Sequence, residues 1–327
     1  MCARRNSLLE VRDLKIIFNN NGAGITALRG ANFDVGQGEI VGLLGESGCG
    51  KSSTALAILG LLPSSARCEG SIRFHGQELR ALPEREMEKI RGAEISLISQ
   101  EPALALNPVL SIRWQVSEVL RAHGKNSGSR SQAEVDVMLE RVGLKDVVRI
   151  GSAYPHELSG GQRQRVAIAQ VLACKPALVI ADEPTASLDA VIQAEILDLF
   201  LALRQALQCG FLFISHNPAI LQRICNRILV MYAGQIVEEG PAARVLTQPL
   251  HPYTRALLEC APARPSGPGE KQWSYIPGNP PDMRQMIAGC AFESRCPERM
   301  EICTIRAPQE LTQETSRHVR CFKYGGS

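Results

Sequence analysis

Eight consecutive residues, Gly45-Glu46-Ser47-Gly48-Cys49-Gly50-Lys51-Ser52, have the composition and spacing of a loop that wraps phosphate oxygens. Glycines at 45, 48 and 50 let the backbone turn its N–H groups inward, and a helix start behind them favours negative charge. Lys51 is placed to reach β- and γ-phosphates and Ser52 to ligate Mg²⁺, with Ser53 completing the cradle. Farther on, the apolar run Ala177-Leu-Val-Ile-Ala ends in Asp182-Glu183, which sets two carboxylates at the carboxyl edge of a sheet, where parallel sheets bind ligands. Successive strand residues face opposite sides, so the two have different work: Asp182 holds the Mg²⁺ shell and Glu183 polarises a water in line with the γ-phosphate. Leu158-Ser159-Gly160-Gly161-Gln162 offers a second anion site, a Ser cap followed by glycine N–H groups at a helix start.

Such groups need a scaffold that delivers them from strand ends. Glu39 to Leu44 reads as a short buried strand entering the loop and Ser53 to Leu62 as an apolar helix leaving it. Leu8 to Phe18, Ala31 to Val35, Ser71 to Phe74 and Ile95 to Ile98 read as further strands split by turns. From Asn107 to about Pro155 the spacing turns helical, over Ile112 to His123 and Gln132 to Val142. Helices at Gly160 to Cys174 and Ala190 to Gln208 then alternate with strands at Ala177 to Ala181, Phe211 to Ile214, Ile228 to Tyr232 and Gln235 to Val237. The alternation predicts an α/β core with a mainly parallel sheet. Prolines multiply after about Leu246, and Ala261 to Pro281 reads as an irregular linker.

The chain has 327 residues, 45% of them hydrophobic, enough for one large domain and a smaller one. Lys and Arg number 36 against 33 Asp and Glu, a formal charge of +3, which gives no broad field for nucleic acid. No apolar run reaches the roughly 18 residues of a membrane span, and Met-Cys-Ala-Arg-Arg-Asn-Ser lacks the apolar stretch of a secretory signal. The expected compartment is the cytosol, where thiols stay reduced. Among eleven cysteines, Cys290, Cys296, Cys303 and Cys321 crowd into the tail with five, six and seventeen residues between them. Those gaps fit a structural zinc site poorly, whereas four thiolates are what an iron–sulfur cluster requires; unliganded thiols are the other reading. Cys49, at a helix start beside Lys51, is expected to have a lowered thiol pKa and raised reactivity.

Across essentially its whole length the sequence resembles an ABC transporter nucleotide-binding subunit. The resemblance implies a P-loop NTPase cassette over 1–246, with a helical subdomain at about 107–158, and a small irregular cysteine-containing extension over 247–327. It implies that Gln100, in Ser-Leu-Ile-Ser-Gln-Glu-Pro, touches Mg²⁺ and the permease, and that Asp189, in Ser187-Leu188-Asp189, lies in the loop crossing a dimer interface. By the same resemblance His216, in Phe-Ile-Ser-His-Asn, senses the γ-phosphate, Phe18 stacks on adenine, and Ser159 to Gln162 serve ATP bound to a facing chain. Gln100 to Pro108, His251-Pro252-Tyr253-Thr254 and Ile276 to Pro281 resemble the dipeptide, oligopeptide and nickel importers, some of which hold a four-iron cluster in this extension. Gln162 and Cys49 depart from the group's usual Met and Ser.

The function implied is ATP hydrolysis driving uptake of di- or oligopeptides, with ATP, Mg²⁺ and a 4Fe–4S cluster as cofactors. The implied partners are a second homologous ATPase or a second copy, two membrane permeases and an extracytoplasmic binding protein, with the chain peripheral on the cytoplasmic face of the inner membrane. A nickel importer ATPase is one alternative, and a nucleotide-gated redox sensor another. An ABC ATPase acting on DNA or ribosomes is disfavoured, because the chain has one cassette and no heptad tract.

Overall fold

The computed structural model describes residues 7–20, 23–101, 105–124, 130–260, 275–314 and 316–325. They fall into two compact units: the first holds Val35–Glu39 and Ala81–Phe213 with the chain start to Leu8, the second Leu9–Asp34, Ile40–Arg80 and Ile214–Ser327.

In chain order come β1 (Ser7–Asn20), β2 (Ala23–Gly36), β3 (Ile40–Leu44), α1 (Lys51–Ile58), β4 (Ala66–Phe74) and β5 (Gln77–Glu78). Next are α2 (Glu84–Ile90), β6 (Ile95–Ile98), α3 (Ile112–Ala122), α4 (Arg130–Arg141), α5 (Val147–Ser152), α6 (Gly160–Leu172), β7 (Leu178–Asp182), α7 (Ala190–Leu207) and β8 (Gly210–Ser215). The chain closes with α8 (Pro218–Ile224), β9 (Arg227–Tyr232), β10 (Gln235–Pro241), α9 (Ala242–Thr247), α10 (Pro252–Glu259), α11 (Ile302–Ile305), β11 (Leu311–Glu314) and β12 (Arg317–Val319).

In the first unit β6 and β7 run parallel, Ile95 opposite Leu178 through Ile98 opposite Ala181, and β8 follows in the order β8-β7-β6. The strands are apolar on both faces, as expected where helices cover a parallel sheet. Phe200 of α7 meets Phe211 and Phe213 of β8 edge-on, at ring separations of 5.9 and 5.5 Å. Helices α3, α4 and α5 form the helical insertion, burying Ile112, Val116, Val135, Leu139 and Ile150.

The second unit carries a sheet ordered β2-β1-β4-β5, in which β4 pairs antiparallel with β1 and β5, and the strands β11-β12-β10-β9-β3. Among those strands β3 and β9 pair parallel, whereas β9-β10, β10-β12 and β11-β12 are antiparallel. The extension is less irregular than its prolines predict, because the β11–β12 hairpin adds to β10 with Val319 opposite Glu238. Residues 261–274, most of the proline-rich linker, lie outside the described residues.

Glu238 anchors that junction. Its side chain is fully buried and accepts from Leu250 N (2.9 Å), His251 N (2.9 Å) and Arg317 Nη2 (3.0 Å), and Arg317 is itself buried. His251 then caps α10, its Nδ1 accepting from Tyr253 N at 3.0 Å, with Pro252 at the first helical position. Complete burial pulls the His251 pKa down to about 3, so the ring stays the neutral acceptor that the cap requires.

Candidate functional site

The loop Gly45–Ser52 joins β3 to α1 inside the second unit, and its glycines answer to space as much as to backbone angle. A Cβ on Gly45 would stand 2.4 Å from Met231 O, and one on Gly50, at φ 112°, 2.7 Å from Ala27 O. Lys51 is buried and opens α1, two residues earlier than the expected helix start, and its Nζ donates to the carbonyls of Gly45 and Glu46 at 2.9 Å each. These bonds curl the loop around the ammonium, and a phosphate oxygen is chemically suited to take their place. Ser47, Gly48 and Ser52 are exposed and Ser53 is half-buried. The helix ends four residues short of expectation: Gly60, at φ 63°, closes it with Gly60 N to Ala57 O (3.1 Å) and Leu61 N to Leu56 O (2.8 Å).

Cys49 corrects an expectation. Its side chain is packed inside the loop, and burial raises the thiol pKa against the smaller lowering by Lys51. A thiol so placed is a packing group and resists alkylation. A helix start beside a cation lowers a thiol pKa where the thiol stays hydrated, and here desolvation outweighs it.

Phe18 lies on β1 opposite Ala66 and is partly exposed. His216 follows β8 directly and is exposed, at a turn shaped by Asn217 N to Ser215 Oγ (3.0 Å) and by the Asn217 side chain capping α8. Phe18, the loop and His216 therefore belong to one compact unit.

The remaining candidates for the nucleotide site belong to the other. Gln100 is exposed two residues past β6; residues 102–104, within the importer-like stretch, lie outside the described residues. Asp182 ends β7, and Glu183 follows at φ 47°, in the left-handed region that a side chain adopts only at a cost of order 1–3 kcal/mol. Gln164, buried on α6, donates its Nε2 to Pro184 O, and Ala186 N donates to Glu183 O at 3.2 Å, so the turn carrying the carboxylate is held from both sides. Ser159 and Gln162 form a reciprocal cap, Gln162 N to Ser159 Oγ at 3.3 Å and Ser159 N to Gln162 Oε1 at 3.0 Å. That accounts physically for a Gln at 162. Gly160 and Gly161 begin α6 there, and Asp189 caps α7 by accepting from Val191 N and Ile192 N at 3.0 Å each.

Sequence reasoning missed two groups on the phosphate loop. Tyr253 Oη accepts from Glu46 N at 2.9 Å, and Arg295 donates to both carboxylate oxygens of Glu46, at 2.8 and 3.1 Å. Tyr253 was visible inside a noted tetrapeptide without its role; nothing near Arg295 signalled one.

Cys290, Cys296, Cys303 and Cys321 are all outside disulfides. Burial pushes the Cys290 thiol up to about 11, with Cys303, Cys321 and Cys296 adding to the rise. Cys290 N also donates to Cys303 O at 2.8 Å. Among the described residues no group of three or more His, Cys, Asp or Glu side chains is arranged to hold a metal ion.

Residues 28–186 match the family described as "ABC transporter", and residues 237–303 match "Oligopeptide/dipeptide transporter, C-terminal region". The chain is 42% identical to the oligopeptide transport ATP-binding protein OppD of Escherichia coli, over 97% of this chain and 94% of that protein. It is 40% identical to the dipeptide transport ATP-binding protein DppD of Bacillus subtilis, over 96% and 94%. Among solved structures, the dimeric post-hydrolysis state of the ATP-binding cassette MJ0796 bound to ADP and Pi aligns with TM-score 0.63 at 26% identity, covering 72% of this chain and 98% of that one. CbiO1 of Clostridium perfringens, part of the ABC transporter complex cbiONQ, aligns at 0.64 and 28% identity over 75% and 92%.

Proposed function

The chain belongs to the ABC transporter family, as an ATP-binding, ATP-hydrolysing subunit of an oligopeptide or dipeptide importer, and from that premise we propose how its residues divide the work. The loop Gly45–Ser53 holds the triphosphate, with Lys51 as its cation. Ser52, Gln100 and Asp182 would hold Mg²⁺, which when bound would supply charge neutralisation at the phosphates. Glu183 polarises the attacking water, His216 senses the γ-phosphate, and Phe18 stacks on the base. Ser159, Gly160, Gly161 and Gln162, with Asp189, serve nucleotide held by a facing cassette, either a homologous ATPase or a second copy. The curled loop around Lys51 is the observation that carries this reading.

The chain's partners are permease subunits of a membrane importer. Within that assembly we place an extracytoplasmic binding protein on the far side and this chain peripheral on the cytoplasmic face of the inner membrane, with no nucleic-acid role. In proteoliposomes holding the complete importer, ATP hydrolysis is expected to rise several-fold when binding protein and di- or oligopeptide are supplied, and peptide to accumulate. Stimulation by nickel alone would assign the metal-importer alternative. ATPase unresponsive to either, but altered by thiol redox state, would assign the redox-sensor alternative.

For the tail we propose that Cys290, Cys296, Cys303 and Cys321 ligate a 4Fe–4S cluster. The donor set suits it in chemistry, four sulfurs outside disulfides that influence one another electrostatically, although as described the side chains are not arranged around a metal. Bound there, the cluster would supply a structural or redox-sensitive centre. Anaerobically purified protein is expected to be brown, with about four iron and four sulfide per chain. A colourless protein with stoichiometric zinc, or no metal after reconstitution, overturns it and leaves the ATPase assignment standing.

A further inference from the structure

Glu46 is held at every polar group it has. Its N–H goes to Tyr253, its carbonyl accepts from Lys51 Nζ (2.9 Å) and Cys49 N (3.3 Å), and its carboxylate meets Arg295 in a two-pronged pair. The Arg295 side chain is only 3% exposed, and it also donates to Tyr232 Oη (3.2 Å), Pro277 O (3.1 Å) and Ile276 O (3.4 Å). Gly278, at φ 74°, takes the left-handed conformation that favours glycine, just after the Ile276-Pro277 carbonyls that accept from Arg295. Tyr232, Tyr253 and Phe292 pack around the pair, with Tyr232 and Tyr253 at 4.4 Å and Tyr253 and Phe292 at 5.4 Å between rings. A planar, five-donor guanidinium satisfied this fully is a fixed strut and not a solvated surface charge.

We propose that Arg295, carried between Cys290 and Cys296 of the C-terminal extension, is a positioning residue for the phosphate loop, acting through the Glu46 carboxylate to set nucleotide affinity. This rests on the reading that Gly45–Ser53 binds nucleotide. Two effects act in the same direction. Arg295 fixes the loop before nucleotide arrives, and it neutralises a carboxylate that would otherwise stand beside an incoming polyanion. Removing the arginine alone leaves Glu46 with an unpaired charge in a half-buried place, the costly case; removing both charges restores neutrality.

The test uses the full chain for Mg-ATP binding and the reconstituted importer for turnover. Arg295→Ala is expected to raise the dissociation constant and KM for Mg-ATP about tenfold with kcat at saturating ATP within about twofold. Arg295→Lys is expected to recover part of the loss, and Arg295→Ala with Glu46→Gln to bind more tightly than Arg295→Ala alone. Wild-type affinity in a folded Arg295→Ala protein overturns the proposal, as does a double variant no better than the single, which marks mere destabilisation. If Arg295→Ala does not fold, folded Arg295→Lys at wild-type affinity overturns it. Lys51→Ala is the control: should it bind Mg-ATP normally, the nucleotide reading of the loop fails and takes the affinity role of Arg295 with it, whereas weakened binding by Lys51→Ala beside wild-type affinity in Arg295→Ala overturns the strut alone.

Discussion

Glu183→Gln protein is expected to bind Mg-ATP with unchanged affinity and to hydrolyse it at least about 100-fold more slowly. Amide and carboxylate have nearly the same shape, so the substitution leaves packing alone and removes only the acceptor charge proposed to polarise water. The backbone makes the comparison clean. Glu183 sits at φ 47°, and Gln tolerates that conformation no better and no worse than Glu, while the Gln164 to Pro184 bond that holds the turn does not involve the substituted side chain. Unspent ATP should also keep facing cassettes closed, giving a larger species on sizing with the proper partner. Hydrolysis by the variant near the original rate would remove Glu183 from the reaction.

Glu238→Ala is expected to cost about 3–5 kcal/mol of stability, against a typical total of about 5–15 kcal/mol. The change strips partners from Leu250 N, His251 N and the buried Arg317 guanidinium at once. An unpaired buried cation dominates that cost, so Glu238→Gln, which keeps one acceptor oxygen without the charge, should recover part of it. Denaturant unfolding of the full chain measures both, and a loss below about 1 kcal/mol for Glu238→Ala would mean that the network contributes little. His251 adds a pH signature to the same junction. Its ring binds a proton near pH 6.5 when unfolded but only near pH 3 when folded, so its contribution is complete above pH 6.5 and lost as pH falls toward 3.

Local signals carried the reading of this chain far. Strands β3, β6, β7, β8 and β9 appear within a residue or two of their apolar runs, because a strand covered on both faces is a hydrophobic block bounded by turn residues. The phosphate loop was legible because three glycines, a lysine and a serine must stand at fixed offsets, and the Ser159 cap because its partner lies three residues away. What stayed hidden is long in sequence or set by burial. Glu46 with Arg295 and Glu238 with Arg317 are ordinary charged residues until the fold joins them, across 249 and 79 positions. Cys49 carried a helix-start signature, but its pKa follows its surroundings, which no short window contains. The short helices α2, α5, α8 and α9 hold too few turns for a 3.6-residue period to show.

The span from Glu46 to Arg295 also sets an order of events at the ribosome. The phosphate loop is made early, yet Arg295 emerges 249 residues after it, which at about 5–20 residues per second is roughly 10–50 s of synthesis. Over much of that interval β3, buried along its whole length in the finished protein, lacks the β9 strand that pairs with it. A nascent chain in this condition presents an apolar strand edge to chaperones or to other chains, and its folding is slow because distant contacts must close first. A residue translated long after the loop thus supplies the partner of Glu46, and a chain cut short before residue 295 lacks that pair while keeping every residue of the loop.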